Sequence, residues 1–78
     1  MGFMLLPNPA SDRLEVRYDV PGAVWLTIQN GLGQQVLRKE MQASEQGVDI
    51  SALVPGCYFA RLEQEGKALL VQPLIIHR

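Results

Sequence analysis

The chain has 78 residues, 47% of them apolar, with seven basic side chains against eight acidic ones and a net charge of −1. That length admits a single domain, since domains run from about 50 to 200 residues, and burial of only about 60% of the unfolded surface makes its stability modest. No run of like charge exceeds Arg38-Lys39, so the chain lacks the electrostatic footprint of a nucleic-acid binder and the polybasic patch that anionic lipid attracts.

The opening "MGFMLLPNP" has neither the basic start nor the long apolar core of a secretory signal. Leu6 stands where a myristoylation motif needs Ser or Thr, and no run approaches the roughly 20 apolar residues of a membrane span. Met1-Gly2 reads as an added start on a domain excised from a longer protein. "FMLL" predicts a first strand. Pro7 and Pro9 then hold an extended backbone and disfavour helix in the residues before them, while Asn8 turns the chain towards the next strand.

In "RLEVRY", Leu14, Val16 and Tyr18 share one face and Arg13, Glu15 and Arg17 the other, which is the period of a half-buried strand. A Pro21-Gly22 turn leads to "VWLTIQ", with Val24, Leu26 and Ile28 inward and Trp25, Thr27 and Gln29 outward. "NGLG" (Asn30 to Gly33) predicts a tight hairpin in which the Asn and both glycines take positive φ. A less regular strand follows in "QQVLRKEM", contributing Val36 to the core with Leu37 as a second candidate. "GVDI" points Val48 and Ile50 inward, and "CYFARLEQ" does the same with Tyr58, Ala60 and Leu62. "EGK" closes a hairpin into "KALLVQPLIIHR". Proline cannot donate to a ladder, so Pro73 makes this last strand an edge or breaks it.

About seven short strands with turn signals roughly every ten residues, and no helical period, predict an all-β fold. The expected architecture is a small antiparallel immunoglobulin-like β-sandwich spanning residues 1–78 as one domain. "LVPGCY" fits the corner of such a sandwich, where the Tyr58 hydroxyl bonds back to upstream backbone.

Groups able to do chemistry are sparse. His77 is the only histidine and Cys57 the only cysteine, which argues against a zinc site or an internal disulfide. Cys57 reads as a small apolar residue in a second layer. Ser11, Ser44 and Ser51 lie in no nucleophile-elbow motif and read as turn and cap residues. Asp12, Asp19 and Asp49 are too scattered for a calcium loop. Asp49 is expected to cap the turn "ISAL", and Asn8 and Asp12 to fold onto local backbone as Asx-turns. "NGLGQQ" is no phosphate loop, because no helix with a lysine follows. Trp25 reads as an outer-face side chain partly covered by neighbours. No catalytic residue, metal or cofactor is expected, and an enzyme is a distant third reading.

Three blocks in order, "LLPNPASDRLEV", "NGLGQQV" and "DISALVPGCYFARL", resemble the C-terminal sorting domain of the type IX secretion system of Bacteroidetes, over about Leu5 to Arg78. The family's opening Pro-Asn-Pro matches Pro7, Asn8 and Pro9, followed by Ala10 and Leu14. Its middle turn matches Asn30 and Gly33, and its later block matches Ile50, Ser51, Leu53, Gly56 and Tyr58. Gln72 and Pro73 depart from the lysine usual in the last strand, whereas Leu74, Ile75, Ile76 and Arg78 keep the aliphatic stretch and basic end. The resemblance implies an export signal on a larger secreted or surface protein. It further implies recognition by the outer-membrane translocon and its shuttle component, then removal by a sortase-like cysteine peptidase that attaches the cargo to the cell surface. Beside this, the apolar edge of the last strand predicts a docking template with Leu74, Ile75, Ile76 and Arg78 as translocon contacts, or a homodimer through that edge. The alternative is a fibronectin-like binding or adhesion module of a surface protein.

Overall fold

The computed structural model describes residues 3–7, 9–42 and 45–78. Asn8 and Ser44, both read above as turn residues, lie outside the described residues. Among those described, seven strands form: β1 (Phe3–Leu6), β2 (Arg13–Tyr18), β3 (Val24–Asn30), β4 (Gln35–Met41), β5 (Glu45–Asp49), β6 (Gly56–Gln64) and β7 (Lys67–Ile76). They build a three-stranded sheet in the order β1-β2-β5 and a four-stranded sheet in the order β4-β3-β6-β7. Every strand pair within them is antiparallel.

The alternating apolar residues of both sheets meet in one core. Leu5, Leu14, Val16, Tyr18 and Val48 face Val24, Leu26, Ile28, Tyr58, Ala60, Leu62, Leu74 and Ile76. Each large aliphatic side chain buried there stabilises the fold by about 1.5–3 kcal/mol relative to exposure. Pro73 stays within β7, and β7 is an edge strand, as the missing N–H requires.

Register decides which loops share an end. Leu6 pairs with Glu15, Arg13 with Asp49, Asn30 with Tyr58 and Gly56 with Ile76. The β1–β2 connection, the β3–β4 turn (31–34), the β5–β6 connection (50–55) and residues 77–78 therefore lie at one end of the sandwich. Turns 19–23 and 65–66 lie at the other.

Several expectations need correction. Val36 does not enter the core: the pairing between β3 and β4 shifts between Ile28 and Gln29, leaving Val36 exposed while Leu37 and Met41 turn inward. Thr27 is on the outer face yet only 3% exposed. It sits between Arg38 and Arg61 in register, under long side chains that cover it. Its hydroxyl donates to Glu63 Oε1 at 3.0 Å, and Glu63 is in turn 3.8 Å from Arg38 and 4.0 Å from Arg61. Trp25 is half-buried, with the Arg38 guanidinium 4.5 Å from its ring centroid. Cys57 is exposed rather than in a second layer.

Candidate functional site

The end that gathers the β1–β2, β3–β4 and β5–β6 connections is built by a different device in each. In the β3–β4 turn, Asn30 works through its side chain. Its Oδ1 accepts from the backbone N–H groups of Leu32 at 2.9 Å and Gln34 at 3.0 Å. Within that turn only Gly33 takes positive φ, at +82°, so the expectation that Asn30 and Gly31 share that role is corrected. An Asx-type acceptor shapes the loop without left-handed backbone at the Asn itself. The result places Leu32 at the tip, 85% exposed.

In the β5–β6 connection, Asp49 Oδ1 accepts from the Ser51 N–H at 2.9 Å and the Leu53 N–H donates to the Ile50 carbonyl at 3.0 Å. The Ser51 hydroxyl, then the Ser51 N–H, hold the Asp49 carboxyl below its ordinary range, with Arg13 and Lys39 adding to the effect. The Tyr58 hydroxyl donates to the Val54 carbonyl, the corner expected of an immunoglobulin-like sandwich. Leu53 packs against the core, whereas Val54 is 71% exposed. An open groove of about 420 Å³ runs between this corner and the β3–β4 turn, lined by Asn30, Val36, Leu53, Val54, Gly56 and Tyr58 among others.

The β1–β2 connection meets the end of β7. Ala10 is almost fully buried. Its N–H donates to the Ile75 carbonyl at 2.8 Å, and its carbonyl accepts from the His77 N–H at 2.8 Å. The Leu6–Pro7 peptide bond is cis. Asp12 does not make the Asx-turn expected of it: its carbonyl accepts from the Ile50 N–H at 3.0 Å and its Oδ1 from Arg78 Nε at 2.7 Å. Arg78 also donates from Nη1 to the Leu53 carbonyl at 2.5 Å and from Nη2 to the Ile50 carbonyl at 2.9 Å.

Of the residues singled out in the sequence, Ala10, Gly33, Leu53, Gly56, Tyr58 and Arg78 are brought to this end. Pro7 and Pro9 belong to the connection carrying Ala10, and Leu14 is a core residue of β2. Leu74 and Ile76 are buried at 0% and 2% exposure, so a partner meeting the folded surface does not reach them, while Ile75 is 44% exposed. Sequence reasoning passed over Leu32 and Val54, and gave Asp12 a local role in place of its bond to Arg78. Leu32 carried a signal, as a lone aliphatic residue between the two glycines of a tight turn; Val54 did not, because its neighbour Leu53 in the same connection reaches the core. Among the described residues no group of three or more His, Cys, Asp or Glu is placed to hold a metal ion.

Fold and loop end together define a small β-sandwich whose distinctive feature is a composite surface drawn from distant parts of the chain. The profile of a known family, "Secretion system C-terminal sorting domain", matches residues 4–77. The chain belongs to that family, whose domains are the C-terminal sorting signals of type IX secretion. Membership points to a non-catalytic role and to export as the C-terminal part of a larger cargo protein, and nothing supports the adhesion alternative. A comparison with curated proteins gave no match.

Proposed function

We propose that the type IX machinery recognises the folded domain by the end where the β1–β2, β3–β4 and β5–β6 connections meet, with the exposed tips Leu32 and Val54 and the neighbouring Ile75 as contacts. What supports this reading is that Ala10, Gly33, Leu53, Gly56 and Tyr58 share one end while two large aliphatic side chains there remain in solvent, at 85% and 71% exposure. Folding alone gives no reason to put them there, and exposed apolar side chains at one end, with Val54 lining a groove, favour a protein partner. Leu74 and Ile76 then act from the core, by holding Ile75 in place. The uncharged run from Ala68 to Ile76 makes the β7 edge a second template for a partner strand, or for a second copy in the isolated domain.

In this reading the partners are the translocon and its shuttle component. A sortase-like peptidase then removes the domain and anchors the cargo at the cell surface. The test fuses residues 1–78 to a reporter delivered to the periplasm of a host with the type IX machinery. The expected result is reporter outside the cell; full retention in the periplasm would overturn the proposal. Sedimentation of the isolated domain over a range of concentrations reports on pairing through β7, and a monomer throughout would remove the self-association arm.

A further inference from the structure

We propose that Arg78 is a positioning residue, a latch that fixes the end of β7 and the segment Pro9–Asp12 on the Ile50–Leu53 turn so that the loop end is presented as one surface. The inference deepens the sorting role proposed above and rests on it. Three donors of one guanidinium reach three acceptors: Asp12 Oδ1 at 2.7 Å, the Ile50 carbonyl at 2.9 Å and the Leu53 carbonyl at 2.5 Å. The partners lie 66, 28 and 25 residues away in the chain. The Arg78 side chain is only 26% exposed although the residue follows the last strand.

The planar fork of arginine suits this task. It presents several donors in fixed directions, whereas a lysine ammonium is a point charge that matches fewer of them. Next to the latch, Ala10 is clipped to β7 on both sides, from its N–H to Ile75 and from its carbonyl to His77. The Asp12 carbonyl takes the Ile50 N–H. Opening the Arg78 contacts thus frees the tail and the Pro9–Asp12 segment together, leaving the central ladder of β3 and β6 untouched. This assigns Arg78 to the fold's own surface before any partner: three of its five guanidinium N–H donors are already engaged within the domain.

Amide exchange and export, measured on the same substitutions, test the latch. Arg78→Ala is expected to raise exchange at the Ala10 and His77 amides about tenfold or more, the effect of losing charge-assisted bonds at a local opening, while Ile28 in β3 is unchanged. Asp12→Ala removes the exposed part of the latch and raises exchange at the same two amides a few-fold. Arg78→Lys restores part of the protection. Export of a cargo fusion is expected to fall in the same order as the loss of protection. Two results would overturn the latch: lost export in Arg78→Ala with Ala10 and His77 still protected, which makes Arg78 a residue read directly, or loosened amides with undiminished export. If the unsubstituted fusion is itself retained, the sorting reading fails, and the latch then stands or falls on the exchange data alone.

Discussion

At the end carrying turns 19–23 and 65–66, the chain reverses by backbone geometry. Gly22 takes φ +91°, and the 65–66 hairpin turns on Glu65 at +51° and Gly66 at +79°. The Gln64 side chain straps across to the Pro21 carbonyl at 2.5 Å. At the opposite end the reversals are also local, in the Asn30 and Asp49 turns, but a further set of bonds ties segments that are remote in sequence: Ala10 to β7, Asp12 to Ile50, Arg78 to three partners. That end also leaves Leu32 and Val54 in solvent. Among the described residues, the first end is tied across remote segments through the Gln64 side chain, which reaches Pro21 and Ala23. On the reading proposed above, the fuller closure and the exposed aliphatic tips of the opposite end are what set a recognition surface apart from a plain loop end.

Substitutions can break or sharpen that contrast. The largest effect belongs to neither end. Leu14→Ala in the core is expected to cost about 2–5 kcal/mol. In a domain whose total stability is of order 5–15 kcal/mol or less, that loosens both ends together and lowers export with the fold. Denaturant unfolding checks it, and a loss below 1 kcal/mol would contradict the core assignment. Tyr58→Phe, at the loop end, leaves the Val54 carbonyl without its hydroxyl partner at a cost of about 1–2 kcal/mol. For a domain this size each kcal/mol lowers the melting temperature by about 4–8 °C, which calorimetry resolves, and export falls as the corner loosens.

The opposite end answers differently. Glu65→Asn replaces a strained positive-φ residue by one that tolerates it, and Asn-Gly is favoured in such two-residue hairpins. The expected result is a gain of about 0.5–1 kcal/mol with export unchanged; lost export there would erase the distinction between the ends. The smallest effect is a pH dependence. The Asp49 carboxyl titrates below its unfolded value, so its contribution is present above the unfolded pKa and is lost as pH falls through the lower folded one. Asp49→Asn is expected to lower the melting temperature slightly near neutrality and to flatten the acid limb, so that the two profiles converge in acid.

Much of the fold was legible because β2, β3 and β6 keep strict alternation, and a face once buried specifies register. Val36 was misassigned because a register shift in the β3–β4 pairing leaves no mark in local composition. Cys57 was misjudged, and the cover over Thr27, which faces outward as read, went unseen for a related reason: burial on an outer face depends on which side chains stand beside it across strands. Arg38 and Arg61 flank Thr27, while Cys57 pairs with Ile75 on the edge strand and stays open. At the loop end, the turn roles of Asn30, Asp49 and Tyr58 follow from near neighbours and were legible, although Asn30 shapes its turn through its side chain and not through the positive φ expected of it. The bond between Asp12 and Arg78 spans 66 residues. A charged residue in a turn and a basic one after the last strand look like two solvated groups until topology brings them together.

The most direct test of the central claim places charge on the exposed tips. Leu32→Asp with Val54→Asp alters side chains that contribute little to the core, so circular dichroism and melting are expected to stay near those of the unsubstituted domain. Fused to the periplasmic reporter, this domain is predicted to leave most of the reporter in the periplasm, while a Glu65→Asn fusion is exported normally. Export of the doubly substituted fusion at the unsubstituted level would contradict recognition through the loop end.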